Sequence, residues 1–201
     1  MPRLPTPDWS DRVTIFELFF GLTSVVLGLA LAHIASSLQK IANAGRRVTW
    51  APEPVLATMI ILTVIVSVWI SQWGERDGTS ITMGQAFLQV AKMMAIYFAA
   101  ASVLPDLEPG EAKVDLYRYY DDTRRLTFGS LVVGLLLFRL YAWSNSDEAI
   151  EWSMATIFRA TLYPLIYLSL ILIRWRPYNI AMLTFALLYY AYGISTVRIG
   201  S

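Results

Sequence analysis

A lysine in the middle of a membrane-length apolar run constrains this chain more than any other feature. Ile81 to Leu104 is long and apolar enough to cross a bilayer, and Lys92 stands at its centre. A charged side chain at that depth costs about 3 kcal/mol on insertion scales, and about 10 or more on an isolated helix, so it faces a protein interior or trapped water. Its neighbours suit that placement. At 100° per residue, Thr82, Gln85, Gln89 and Lys92 fall within an arc of about 80°, a polar stripe on an otherwise greasy helix. Past Lys92 the stripe stops, and Met93, Met94, Ala95, Ile96, Tyr97, Phe98 and Ala99 follow. One half of the segment is lined for water or ions and the other half is sealed.

Composition places the whole chain in the same class. Of 201 residues 56% are hydrophobic and only 15% charged, and mean hydropathy is +0.51, values typical of polytopic membrane proteins. A net charge of +1 gives nucleic acid no electrostatic footprint. Zero cysteines exclude disulfides, iron–sulfur clusters and thiolate zinc. The mixed-charge stretch Met1 to Arg12 is followed by no small-residue cleavage site, so the first apolar run reads as a retained span.

Six apolar segments of spanning length can be marked, at roughly 13–37, 53–74, 80–104, 126–146, 150–174 and 177–198. The expectation is an all-α, polytopic transmembrane helical bundle forming a single domain over 1–201, with one sizeable loop at 105–125. Loops after the first, third and fifth segments hold Lys40, Arg46, Arg47, Lys113, Arg118, Arg124, Arg125, Arg174 and Arg176, whereas the opposite side holds Arg3, Arg12, Arg76 and Arg198. The basic side is cytoplasmic by the positive-inside rule, which puts both termini outside the cytoplasm. The turn Gln39 to Trp50 is basic enough to lie on anionic lipid.

Within the first segment Glu17, Gly21, Ser24, Gly28, Ala32 and Ala35 share a face, and the small residues Gly21, Ser24 and Gly28 predict close helix packing. Trp69, Gln72 and Trp73 close the second segment as an interfacial belt. In the loop, Asp115 is placed to cap a helix that runs on into the fourth segment, with Arg118–Asp122 and Asp121–Arg125 as i,i+4 pairs and its first turns projecting from the bilayer. Asp106, Glu108, Glu111 and Asp115 read as a solvated acidic loop, because no calcium-loop spacing is present. Pro164 frees the carbonyl of Ala160 beside Arg159 in the fifth segment, and the sixth ends in Tyr189, Tyr190 and Tyr192.

Counting helical rise from the exterior boundary puts Glu17 near ~6 Å, Arg139 near ~10 Å, Arg159 near ~13 Å and Lys92 near ~18 Å. The cytoplasmic half of each span reads as free of Asp, Glu, Lys and Arg, with His33 its one titratable group apart from tyrosines. Three cations and one carboxylate on one side predict an exterior-facing, anion-preferring vestibule, with Glu17 paired to Arg139. Gln85, Gln89 and Tyr189 would line the path. Met93, Met94, Tyr97 and Phe98 would gate it by dewetting.

The pattern Leu104-Pro105-Asp106, then Val114-Asp115-Leu116-Tyr117-Arg118-Tyr119-Tyr120 and Arg124-Arg125, together with Phe16-Glu17-Leu18-Phe19-Phe20-Gly21 and Leu27-Gly28-Leu29-Ala30, resembles an uncharacterised family of small bacterial multi-span proteins. The resemblance implies a bacterial inner (plasma) membrane and brings no activity or cofactor. Size and span count are similar to bacterial lysosomal-type potassium channels, but the Phe-Ser-Asp filter motif of those channels is absent from the first span.

One histidine cannot supply bis-His haem ligation, and neither a His-Glu-x-x-His motif, a Gly-x-Ser-x-Gly motif nor a buried carboxylate pair is present. No cofactor and no metal are expected. The leading reading is a channel or small-solute permease for a small ion or anionic solute, working as a homo-oligomer in the lipid bilayer without nucleic acid. Against it stand a non-conducting sensor or assembly subunit that binds a ligand or partner helix and, third, a lipid-modifying enzyme.

Overall fold

The computed structural model describes residues 15–72, 81–107, 113–144 and 154–195. About 89% of these are helical, in six helices, so the chain is all-α. In order they are α1 (Ile15–Ala44), α2 (Pro52–Ser71), α3 (Met83–Ser102), α4 (Leu116–Ser144), α5 (Met154–Leu172) and α6 (Arg176–Ser195). A 3-10 turn at Gly45–Arg47 and two short strands, β1 (Val48–Thr49) and β2 (Val114–Asp115), complete the described structure.

Local chemistry explains the helix ends. Thr82 and Gln85 form a reciprocal capping box at the start of α3, which satisfies two otherwise orphaned backbone donors. Pro52 occupies the first turn of α2, where a missing N–H costs nothing, after Ala51 in an extended conformation. Asp115 accepts from the backbone N–H groups of Tyr117 and Arg118 and so caps α4. The long helix expected from that cap is therefore present. Its ion pair is Asp121–Arg124 at i,i+3. Its first turns pack against the rest of the chain. Leu116 and Tyr120 are buried, and the Tyr119 hydroxyl donates to the Leu104 carbonyl at 3.1 Å. α5 runs through Pro164 without a break.

The helices alternate in direction. Where α1, α3 and α5 finish and α2, α4 and α6 begin, hereafter the loop end, β1 pairs in parallel with β2, and Lys40 is ion-paired with Asp106. At the opposite, far end, Trp69 Nε1 donates to Ser24 Oγ at 3.3 Å, and Gln85 Nε2 donates to the Ser144 carbonyl at 3.1 Å. The α3–α4 contact is the most extensive, and α2 touches α1, α3, α4 and α6. Gly134 lies in the α3–α4 seam, where a Cβ would make ordinary contact with Ala95 Cβ at 3.6 Å and anything larger would press on α3. Lower in the same seam, Ser102 and Thr127 share a buried hydroxyl–hydroxyl bond of 2.9 Å. Ile34, Ile60, Ile61, Met93, Phe128 and Tyr167 belong to the buried core.

Among the described residues, three helical stretches, Glu17–Arg47, Pro52–Ser71 and Leu116–Ser144, are long and apolar enough to cross a membrane. The sequence predicts six. α3 falls short because its polar stripe lowers its hydropathy, and α6 opens on Arg176-Pro177-Tyr178-Asn179 and closes on tyrosines. Leu18, Leu22, Val25 and Leu29 of α1 and Leu126, Val133, Leu136 and Leu140 of α4 nonetheless present exposed leucine and valine to the outside, as lipid-facing surfaces do.

The small-residue face of α1 corrects the packing expectation. Gly21 and Gly28 are exposed, and a Cβ added at either meets nothing within 4 Å. Thr23, Leu27, Ala30, Ile34, Ser37 and Ile41 are buried instead. The buried face mixes small and branched residues, Thr23, Ala30 and Ser37 with Leu27, Ile34 and Ile41, and van der Waals packing against neighbouring helices rather than transfer from water favours such a face in lipid.

Candidate functional site

The polar stripe of α3 turns inward. Lys92 is 1% exposed and Gln89 equally so, while Met83, Phe87, Val90, Met94 and Phe98 form the outward, apolar stripe of the same helix. The Lys92 Nζ lies 4.6 Å from the Tyr141 ring centroid and 4.9 Å from that of Phe138, both on α4. A desolvated ammonium over aromatic faces gains about 2 kcal/mol per good contact, a substantial return against burial.

Beside it lies a cavity of about 50 Å³, lined almost entirely by apolar atoms. Lys92 and Ile96 of α3, Val64 and Val68 of α2, Leu131, Gly134 and Phe138 of α4, Tyr167 of α5 and Tyr190 of α6 line it, so five helices converge there. Across the cavity the Tyr167 and Tyr190 hydroxyls are bonded at 3.0 Å. Tyr163 stacks on Tyr190 at 4.2 Å and meets Tyr189 edge-on at 5.5 Å.

Toward the far end the stripe continues into an amide pair. Gln89 Nε2 donates to Gln72 Oε1 at 2.9 Å, both side chains buried. Sequence alone assigns Gln72 to an interfacial belt with Trp69 and Trp73; its pairing with a residue on the next helix places its side chain inside the bundle instead. Gln85 is engaged structurally: its Oε1 accepts from Thr82 N–H and its Nε2 holds the end of α4.

The other expected site residues lie on several helices. Met93 is buried and Tyr97 half-buried, but Met94 and Phe98 face outward, so the four do not form one constriction. Glu17 is exposed on α1 and Arg139 half-buried on α4. Arg159 lies on α5, and its side chain is outside the described residues.

At the loop end the structure overturns the expectation of charge-free inner halves. Glu53, in the first turn of α2, is 0% exposed and accepts from Arg176 Nε at 2.8 Å. The Arg176 guanidinium also lies 4.1 Å from the Tyr117 ring centroid, and its hydrogen bond to Glu53 holds its pKa above the usual arginine value. Arg124 is 1% exposed; its Nη1 donates to the Ile173 carbonyl at 2.9 Å and to that of Leu170 at 3.3 Å, at the end of α5. A cation on unpaired carbonyls at a helix C-terminus is favourable. Glu53 between two prolines carried a helix-start signal, but nothing near it in sequence announced Arg176. Of the acidic loop, Asp106 pairs with Lys40, whose hydrogen bond lowers the aspartate pKa, Asp115 caps α4, and Glu108 and Glu111 lie outside the described residues.

No family model, curated protein or solved structure matches this chain. The arrangement itself must carry the functional argument: a buried ammonium under two rings, a water-sized cavity where five helices meet, and a buried amide pair leading toward it.

Proposed function

We propose that the protein is a six-span integral protein of the bacterial inner membrane that passes a small ion, an anion by preference, through a site centred on Lys92. The loop end faces the cytoplasm and both termini face away from it. The carrying observation is the burial of Lys92 beside a cavity of about 50 Å³. A cation costs too much in such a place to be kept for packing alone, since an apolar residue of similar volume is often neutral or stabilising there. The cavity limits the passenger to a monatomic ion or a species near water in size, unless the helices move. Lys92 supplies the attraction, Gln89 and the Tyr167–Tyr190 hydroxyls supply hydrogen bonds, and Met93 with its apolar neighbours closes the path below. Arg139, Arg159 and Glu17 set the field at the exterior mouth.

Purified protein in liposomes should conduct halide, and Lys92→Met should reduce that flux at least tenfold while leaving the helical content unchanged. Equal flux in the two proteins contradicts the assignment. A second reading, a non-conducting sensor or assembly subunit, draws on the outward small-residue face of α1, a surface suited to a partner helix or a second copy of this chain. It predicts no flux under any ionic gradient together with co-purification of a partner.

A further inference from the structure

The Gln72–Gln89 pair has an inventory that specifies what completes it. Each side-chain amide offers one acceptor oxygen and one NH₂ donor group. Their mutual bond uses Gln89 Nε2 and Gln72 Oε1. That leaves Gln72 Nε2 and Gln89 Oε1 without a hydrogen-bond partner, on residues only 2% and 1% exposed. Turning both amides over exchanges the roles but leaves the same remainder, one donor group and one acceptor. A bare anion could satisfy only the donor and would be repelled by the acceptor oxygen. A bare cation has the opposite fault. The complement must donate and accept at once, and the smallest species that does so is water, which makes about three bonds when buried.

We propose that Gln72 and Gln89 form a hydration site, holding a water molecule that donates to one amide oxygen and accepts from the other amide nitrogen. Gln89 precedes Lys92 by three residues on the same face of α3, about 4.5 Å along the helix axis. The held water therefore stands one turn outward of the ammonium, in position to replace part of the hydration shell of an ion moving toward Lys92. That role in passage rests on the transport reading; the hydration site itself does not.

Water-edited solid-state NMR on the full chain in lipid bilayers reads the site directly. Magnetisation from water should reach the Gln72 and Gln89 side-chain amides several-fold faster than the buried methyls of Ile60 and Ile61. Replacing both residues, Gln72→Leu with Gln89→Leu, removes both orphaned groups at once and so is compatible with folding. This double variant should keep its helical content and lower halide flux at least tenfold. Lys92→Met should lose flux but keep the rapid transfer to both amides. Transfer to the amides no faster than to the isoleucine methyls in the unaltered protein overturns the proposal. Flux in the double variant equal to that of the unaltered protein overturns the role in passage. Rapid transfer combined with undiminished flux in Lys92→Met would instead sink the transport reading and leave the hydration site standing.

Discussion

At the scale of single residues, the account turns on how each buried charge is stabilised. Lys92 relies on rings: Tyr141 and Phe138 present their faces to it at 4.6 and 4.9 Å. In a double-mutant cycle, Lys92→Met and Tyr141→Leu should show a coupling energy of about 1–2 kcal/mol in unfolding experiments; additive effects would remove the ring's role. Glu53 relies on a cation. Arg176→Leu leaves a fully buried carboxylate without its cation and should destabilise the fold. The pair Glu53→Leu with Arg176→Leu should be more stable than Arg176→Leu alone, as read by denaturant or thermal unfolding in detergent. A double variant no more stable than the single one would show that the carboxylate is not the stranded group. Lys92 could be placed from sequence because its polar neighbours repeat at the helical period on its own helix. Glu53 could not, because Arg176 is 123 residues away and no local pattern records the meeting.

At the scale of elements, the same contrast recurs. α4 was legible as one long helix because its cap, Asp115, lies within three residues of the groups it bonds. The rotation of α1 was not legible, since both of its faces are apolar and only its packing against α2 and α3 decides between them. Glycine substitutions test that rotation. Gly28→Leu should leave thermal stability unchanged in monomeric detergent-solubilised protein, there being nothing within 4 Å of its added Cβ. Gly134→Leu should destabilise by about 1–3 kcal/mol, because larger atoms than a Cβ would press on Ala95 and Ile96 of α3. The opposite ranking would mean that α1 packs through its small residues after all. The link between α1 and the segment after α3 responds to acid. Because Lys40 lowers the Asp106 pKa, the pair's stabilisation is complete above the ordinary carboxylate value of 3.8 and fades as pH falls through the lower folded value. Asp106→Asn should therefore melt slightly below the unaltered protein at pH 7 and together with it in strong acid; a gap that persists in acid would contradict the ionic origin of the link.

At the scale of the whole molecule, six alternating helices are tied at the loop end by Lys40–Asp106, Arg176–Glu53, Arg124 on the α5 carbonyls and the β1–β2 pairing, while the far end holds the amide pair and the stripe that leads to Lys92. The bundle is thus polar at both ends of its interior, with the water-sized cavity and the core of Ile60, Ile61, Phe128 and Leu131 between. That corrects the one-sided charge distribution expected from sequence, because Glu53 and Arg124 are buried at the loop end as well. Because the chain has no cysteine, a single introduced thiol can be modified without background labelling, and this permits the most direct test. In Lys92→Cys, halide flux through proteoliposomes should fall at least tenfold. Treatment with 2-aminoethyl methanethiosulfonate, which attaches a positively charged lysine-like arm to the thiol, should bring much of it back. Flux in Lys92→Cys equal to that of the unaltered protein, or a loss that the restored charge does not repair, would contradict the account.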